Sequence, residues 1–202
     1  MIRATFMACV LVCGACSGSE SSDNPGDAGT ADVQTDGTNK PPAQGGLSLS
    51  VDASSSPPSG ASCTIQAHTA SIGQPPPDAA NPGGRVVDGQ DGASVTCAVR
   101  PSASGFDVTG IISRAGISFG IQGKVAADGT GTADVTYFDP ASAITLKSPA
   151  STPCQLSAPQ ASTVSAGRIW AGIQCPGLAG EATPALYCAG QGHLILENCD
   201  TQ

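Results

Sequence analysis

Beyond residue 46, apolar and polar residues alternate along most of the chain, and a period of two predicts strands with one face turned inward. Leu47-Ser48-Leu49-Ser50-Val51 is the first such run and Cys63-Thr64-Ile65-Gln66-Ala67 the second. The pattern is densest from Ser94 to Phe138. There Val95, Cys97 and Val99 alternate with small or polar neighbours, and Phe106, Val108 and Ile112 form the next inward set. Ile117, Phe119, Ile121 and Val125 follow, then Ala133, Val135 and Tyr137. Arg114-Ala115-Gly116 reads as a short turn. Asp128-Gly129 reads as a type I′ hairpin turn, which needs positive φ at both central residues. The stretch is a predicted β-meander.

Shorter runs continue the pattern at Ile144 and Leu146, at Cys154-Gln155-Leu156, from Arg168 to Cys175, and from His193 to Cys199. In the third of these, Ile169, Ala171, Ile173 and Cys175 share one face. Trp170, the sole tryptophan, falls on the other face with Arg168 and Gln174. It either packs under a loop or marks a contact surface, where it would offer a stacking platform to a ligand. Ser54–Gly60, Gly73–Gly84 and Pro176–Pro184 read as loops, the second too rich in proline for a central strand. No segment sustains apolar spacing at i, i+3, i+4, and Ala161–Ala166 allows one helical turn at most. Short strands punctuated by Gly and Pro indicate an all-β, antiparallel sandwich or barrel. A disulfide-stapled β-sandwich over residues 47–202 is the expected form.

Composition sharpens this picture. The chain has 202 residues, of which 40% are hydrophobic but only 3% aromatic, and its formal charge is −8. The acidic balance argues against a nucleic-acid partner, because phosphate binding needs a basic footprint. Residues 17–46 carry Glu20, Asp23, Asp27, Asp32 and Asp36 against Lys40 and show no apolar period. Such a stretch buries too little apolar surface to offset the entropy of ordering, so it is expected to be a disordered tether. Its average reach would be about 30 Å.

Residues 1–15 place one cation, Arg3, before an apolar core from Ala4 to Val12 and end on Gly14 and Ala15, directly before Cys16. That order is an export signal, and its core is shorter than the about 20 residues a spanning helix needs. Of the nine cysteines, Cys9 and Cys13 lie inside this signal. Setting Cys16 aside leaves Cys63, Cys97, Cys154, Cys175, Cys188 and Cys199, an even count that reads as three disulfides in an exported protein. Pairing in chain order, Cys63–Cys97, Cys154–Cys175 and Cys188–Cys199, would join neighbouring strands. No C-x-x-C pair occurs among the six, so they do not read as a metal site.

The end of the signal, Cys13-Gly14-Ala15-Cys16, resembles the lipobox of bacterial lipoproteins, with Cys13 standing where that motif usually has Leu or Val. The resemblance implies cleavage before Cys16, a diacylglycerol thioether on its sulfur, and a fatty acyl group such as palmitate on its new amino group. Several acyl chains would hold the protein stably on the bilayer. In that family an aspartate after the cysteine favours inner-membrane retention. Ser17 stands there instead, which implies the outer membrane of the cell envelope. The body's short Ala/Gly-rich strands closing on paired cysteines look like those of surface lipoproteins of high-GC Gram-negative bacteria. That likeness covers organisation only and assigns no binding or catalytic residue.

Candidate chemistry is sparse. His68 and His193 are the only imidazoles, each expected at a strand end, and no G-x-S-x-G elbow or S-x-x-K motif accompanies them. Asp88-Gly89-Gln90-Asp91-Gly92 could offer oxygen ligands to Ca²⁺, but it lacks the order of an EF-hand loop, and tight turns use the same residues. No catalytic residue, metal site or cofactor is therefore assigned. The expectation is a membrane-anchored, non-enzymatic domain for binding, adhesion or scaffolding, with a protein or glycan partner. The alternative is a glycan-active or other hydrolase using two carboxylates that converge on the sheet.

Overall fold

A computed structural model describes residues 40–74, 84–140, 142–181 and 185–202. The signal, Cys16, most of the tether and the centre of the proline-rich loop lie outside these residues. Twelve strands form: β1 (Gln44–Ala53), β2 (His68–Ile72), β3 (Val86–Val87), β4 (Ser94–Ser102), β5 (Gly105–Arg114) and β6 (Ile117–Ala126). They continue with β7 (Thr130–Asp139), β8 (Ile144–Lys147), β9 (Cys154–Ser157), β10 (Val164–Ser165), β11 (Arg168–Gly180) and β12 (Leu186–Glu197). The one helical piece among the described residues is a 3-10 turn, Ala161–Thr163. No helix there is long and apolar enough to cross a membrane.

In place of the expected two-sheet sandwich, a single sheet closes as a barrel with extra strands. β4 to β7 are the meander that the alternation marked out, paired in sequence. β8 and β9 then occupy one strand position, each pairing β7 on one side and β11 on the other. β12 follows β11, and Asn198, in the left-handed region at φ 55°, turns the chain towards β4. The turn is compatible with asparagine, whose short polar side chain tolerates that conformation. Asp200 lies beside Ala98 in a parallel bridge, donating to Cys97 O at 2.9 Å and accepting from Val99 N at 2.9 Å. Gly167 joins the same seam, donating to Val99 O and accepting from Cys199 N. Pairing across this seam is what an alternation of side chains cannot reveal, because it involves a strand end rather than a strand. β1, β2 and β3 extend the sheet beyond β12.

The interior is one apolar cluster. Leu47, Leu49, Ile112, Phe119, Tyr137 and Leu196 are among its fully buried members. Most outward positions are small or polar, and Ile111 is the one exposed large apolar side chain among the described residues.

Several boundaries differ from those expected. β1 starts at Gln44, inside the stretch expected to be tether, because Gly45 and Gly46 pair through their backbones with Leu196 and Ile195. Cys63–Ala67 is not a strand; Ser62 just before it bridges Leu186, Cys63 is tied to β12 by its disulfide to Cys188, and β2 starts at His68 instead. β11 runs through Pro176 to Gly180, with a register shift between Cys175 and Leu178. The closing strand starts at Leu186, which puts His193 inside it. Its first half carries no clear alternation because glycines interrupt the pattern. A Cβ on Gly192 would lie 1.8 Å from Ser48 O, so the close approach of β1 excludes any side chain there.

The Asp128-Gly129 hairpin forms, but not as type I′. Gly129 alone takes positive φ, at 86°, and its N–H bonds Ala126 O at 2.9 Å. That is a type I turn followed by a left-handed glycine, the usual three-residue hairpin loop.

All six body cysteines pair. Cys154–Cys175 is as expected, joining β9 to its neighbour β11. The other two pairings are Cys63–Cys188 and Cys97–Cys199, which corrects Cys63–Cys97 and Cys188–Cys199. Chain order misleads here because closure brings the last cysteine to the first strand of the meander.

Candidate functional site

Trp170 lies outward on β11, as its position in the alternation requires, but it is half-buried rather than free. The guanidinium groups of Arg85 and Arg168 sit over its ring at 5.2 and 5.8 Å from the centroid, within cation–π range. Its indole N–H donates to Glu197 Oε1 at 2.9 Å. The same carboxylate pairs with Arg85: Nη2 donates to Oε1 at 3.2 Å, and Nε lies against Oε2 as an ion pair without hydrogen-bond alignment. Ile195, opposite Trp170 in the register, is 2% exposed although it belongs to the outward row and not to the central cluster. Trp170 and Arg85 thus form part of a small exterior core. Of the two readings of this ring, packing or a contact surface, the first fits better, because the protein's own cations lie over it.

Tyr187 is buried and belongs elsewhere. It pairs in register with Ala179, and its hydroxyl is 3.4 Å from Thr152 Oγ1. Trp170 pairs instead with Ile195, eight residues further along the same strand, so the two aromatic residues do not share a groove.

His68 is held by neighbours: Nδ1 is 3.0 Å from Gln66 O and Nε2 is 3.3 Å from Tyr137 Oη. His193 is exposed on β12. In the Asp88–Gly92 stretch, Gly89, Asp91 and Gly92 all have positive φ, and Asp88 Oδ1 accepts Val95 N–H at 2.8 Å. Gln90 N–H and Ala93 N–H close two further turn bonds. The stretch is a tight turn whose first carboxylate already serves the backbone. Among the described residues, no group of three or more His, Cys, Asp or Glu residues converges as a metal site would.

Two acids have lowered pKa values, and both are exposed. Asp128 is held below its ordinary value by the side-chain hydrogen bond from Thr130, 2.7 Å from Oγ1, and then by Thr130 N–H at 2.9 Å. Asp200 is lowered by its hydrogen bond from Lys40 and by the charge of that lysine. Each shift has a local structural cause at a turn or chain end. Neither is the raised pKa of a carboxylate kept protonated as a general acid.

Among the described residues, a groove of about 610 Å³ lies on the outward side of β1, β12 and β11. Ser50, Asp52, Thr69, Gln174 and Gln191 contribute polar side chains to it, with Pro176 and Ala189 beside them. In the sequence each of these residues is merely the polar half of an alternating strand and carries no signal of a site. Only the register shows that they lie side by side. No family model matches the chain, and no curated protein or solved structure is significantly similar to it.

Proposed function

We propose that the chain is a lipid-anchored protein of the bacterial cell envelope, on the outer membrane, whose barrel serves as a non-enzymatic module for binding, adhesion or scaffolding. The observation that carries this reading is the closure of the six body cysteines into three disulfides. None of them remains to bond Cys16, which leaves its sulfur for a diacylglyceryl thioether. Disulfides also suit the oxidising envelope better than the cytosol. The basic, apolar and small segments of residues 1–15 supply the address. A polar outer surface around an apolar core suits a domain held in water beside the bilayer, and is the reverse of a membrane-spanning barrel, which presents an apolar band outward.

Intact-mass measurement of the purified mature chain tests the proposal. A chain starting at Cys16 and carrying diacylglyceryl and N-acyl mass is the expected result, together with precursor accumulation under globomycin. A mature chain starting elsewhere, or one without fatty acyl mass, would overturn it.

A further inference from the structure

We infer that the groove over β12 binds a short, uncharged saccharide; this rests on the reading of the barrel as a binding module and names the ligand class of its site. One outward side chain from each of four adjacent strands meets in a single row: Thr69 of β2, Ser50 of β1, Gln191 of β12 and Gln174 of β11. At about 4.8 Å between strands, the row is about 14 Å long. The Ser50 and Thr69 hydroxyls are 2.8 Å apart, so that end of the row is already ordered.

The concavity has identifiable causes. Asp52 is the next outward residue of β1, and its register partner on β12 is Ala189, whose methyl group leaves the strand surface low. On the far side, the register of β11 shifts between Cys175 and Leu178, at Pro176. Such irregularities commonly re-aim side chains at binding sites. Ser54 Oγ donates to Pro176 O at 3.0 Å, tying the loop after β1 to β11 across the β12 strand between them. The groove therefore has Ala189 and Gly190 low in its lining and is spanned at one end by the Ser54–Pro176 bond.

Its chemistry selects the ligand. Two amides and the hydroxyls of Ser50, Ser55 and Thr69 line the groove with the His68 imidazole, whose two nitrogens lie against Gln66 O and Tyr137 Oη, a single carboxylate, Asp52, and no Lys or Arg. An anion would meet no Lys or Arg in the groove, on a chain of net charge −8. A metal ion would find one carboxylate where hard cations take several oxygen ligands. An apolar ligand would strip water from amides and hydroxyls without replacing their hydrogen bonds. A sugar's hydroxyls both donate and accept, as side-chain amides do, and its C–H face can rest on Pro176 and Ala189. A row of this length suits two or three pyranose rings.

The test uses the full mature chain in lauryldimethylamine-oxide micelles, which present no sugar headgroup. Maltotriose, cellotriose and chitotriose are the probes in saturation-transfer difference NMR. At least one should receive transfer, and the double variant Gln174→Ala/Gln191→Ala should bind it at least fivefold more weakly. Gln122→Ala, on the outward face of β6, should leave binding unchanged. Ser50→Ala is a second groove variant, and near-UV circular dichroism verifies the fold of each. No transfer to any of the three sugars, or binding unaffected by the groove variants, would overturn the inference. So would displacement of the sugar by trialanine at equal concentration, which would assign the groove to peptide. Acyl mass on the same preparation reports separately on the anchored-module reading.

Discussion

Glu197 shows how much depends on one side chain outside the central core. It accepts from Trp170 and pairs with Arg85, 112 residues earlier in the chain. Glu197→Gln keeps the shape and an acceptor for the indole but removes the charge facing Arg85. The expected loss of stability is about 1.5–3 kcal/mol, the range for hydrogen bonds to charged groups. Because Trp170 is the only tryptophan, its emission should shift to the red as the Arg85 cover loosens. Unchanged emission and unchanged urea unfolding would show that the cover does not depend on this pair. Asp128 makes a second prediction, with a definite sign. Its pKa is lowered in the folded chain, so its contribution is complete above the ordinary carboxylate value of 3.8 and is lost as pH falls through the lowered one. Asp128→Asn should therefore flatten the fall of Tm with pH in the acid range and leave its slope near neutrality unchanged. Equal acid slopes in the two proteins would remove the role given to Thr130. At this scale the sequence showed the outward position of Trp170 and the hairpin at Asp128-Gly129. It did not show what covers the tryptophan, since no periodicity connects residue 85 to residue 170.

Among the elements, β4 to β7 were legible because each side chain's burial follows the pleat and each strand pairs the next in sequence. The strands misread were those whose inward positions carry little side chain, such as β12 at Gly190 and Gly192, or whose alternation has no partner, such as Cys63–Ala67. The same distinction explains the disulfides. Cys154–Cys175, 21 residues apart, follows from local pairing, whereas Cys97–Cys199, 102 residues apart, follows from closure. The loop lengths set an order of stabilisation. In the chain-entropy account, a crosslink closing about 100 residues contributes about 4.7 kcal/mol, against about 3 kcal/mol for a loop of about 15. Replacing both Cys97 and Cys199 with serine should therefore lower the urea midpoint more than replacing both Cys154 and Cys175. It should also accelerate amide exchange at Val99 and Asp200, whose N–H groups bond across the seam. The reverse order of midpoints would mean that the seam is held by its backbone bonds and packing rather than by its crosslink.

For the whole molecule, the distribution of polarity separates two ways in which a barrel can belong to a membrane. Along β5 the inward residues Val108 and Ile112 are fully buried, while Asp107 and Thr109 face out; β7 repeats this with Val135 and Tyr137 against Thr132, Asp134 and Thr136. An outward surface of this kind would bring unpaired polar groups into hydrocarbon, at a cost of several kcal/mol each. On the proposed reading, attachment comes from outside the barrel, and residues 1–16 hold the sequence feature suited to it. Acyl chains contribute about 0.8 kcal/mol per buried methylene, so two or more make detachment negligible. In Triton X-114 phase separation, the wild-type protein should collect in the detergent phase. Cys16→Ser should move to the aqueous phase with its three disulfides and thermal unfolding unchanged. A barrel that itself contacted lipid would stay with the detergent in both forms. That outcome would place the attachment in the sheet and remove Cys16 from its role, whatever the groove over β12 binds.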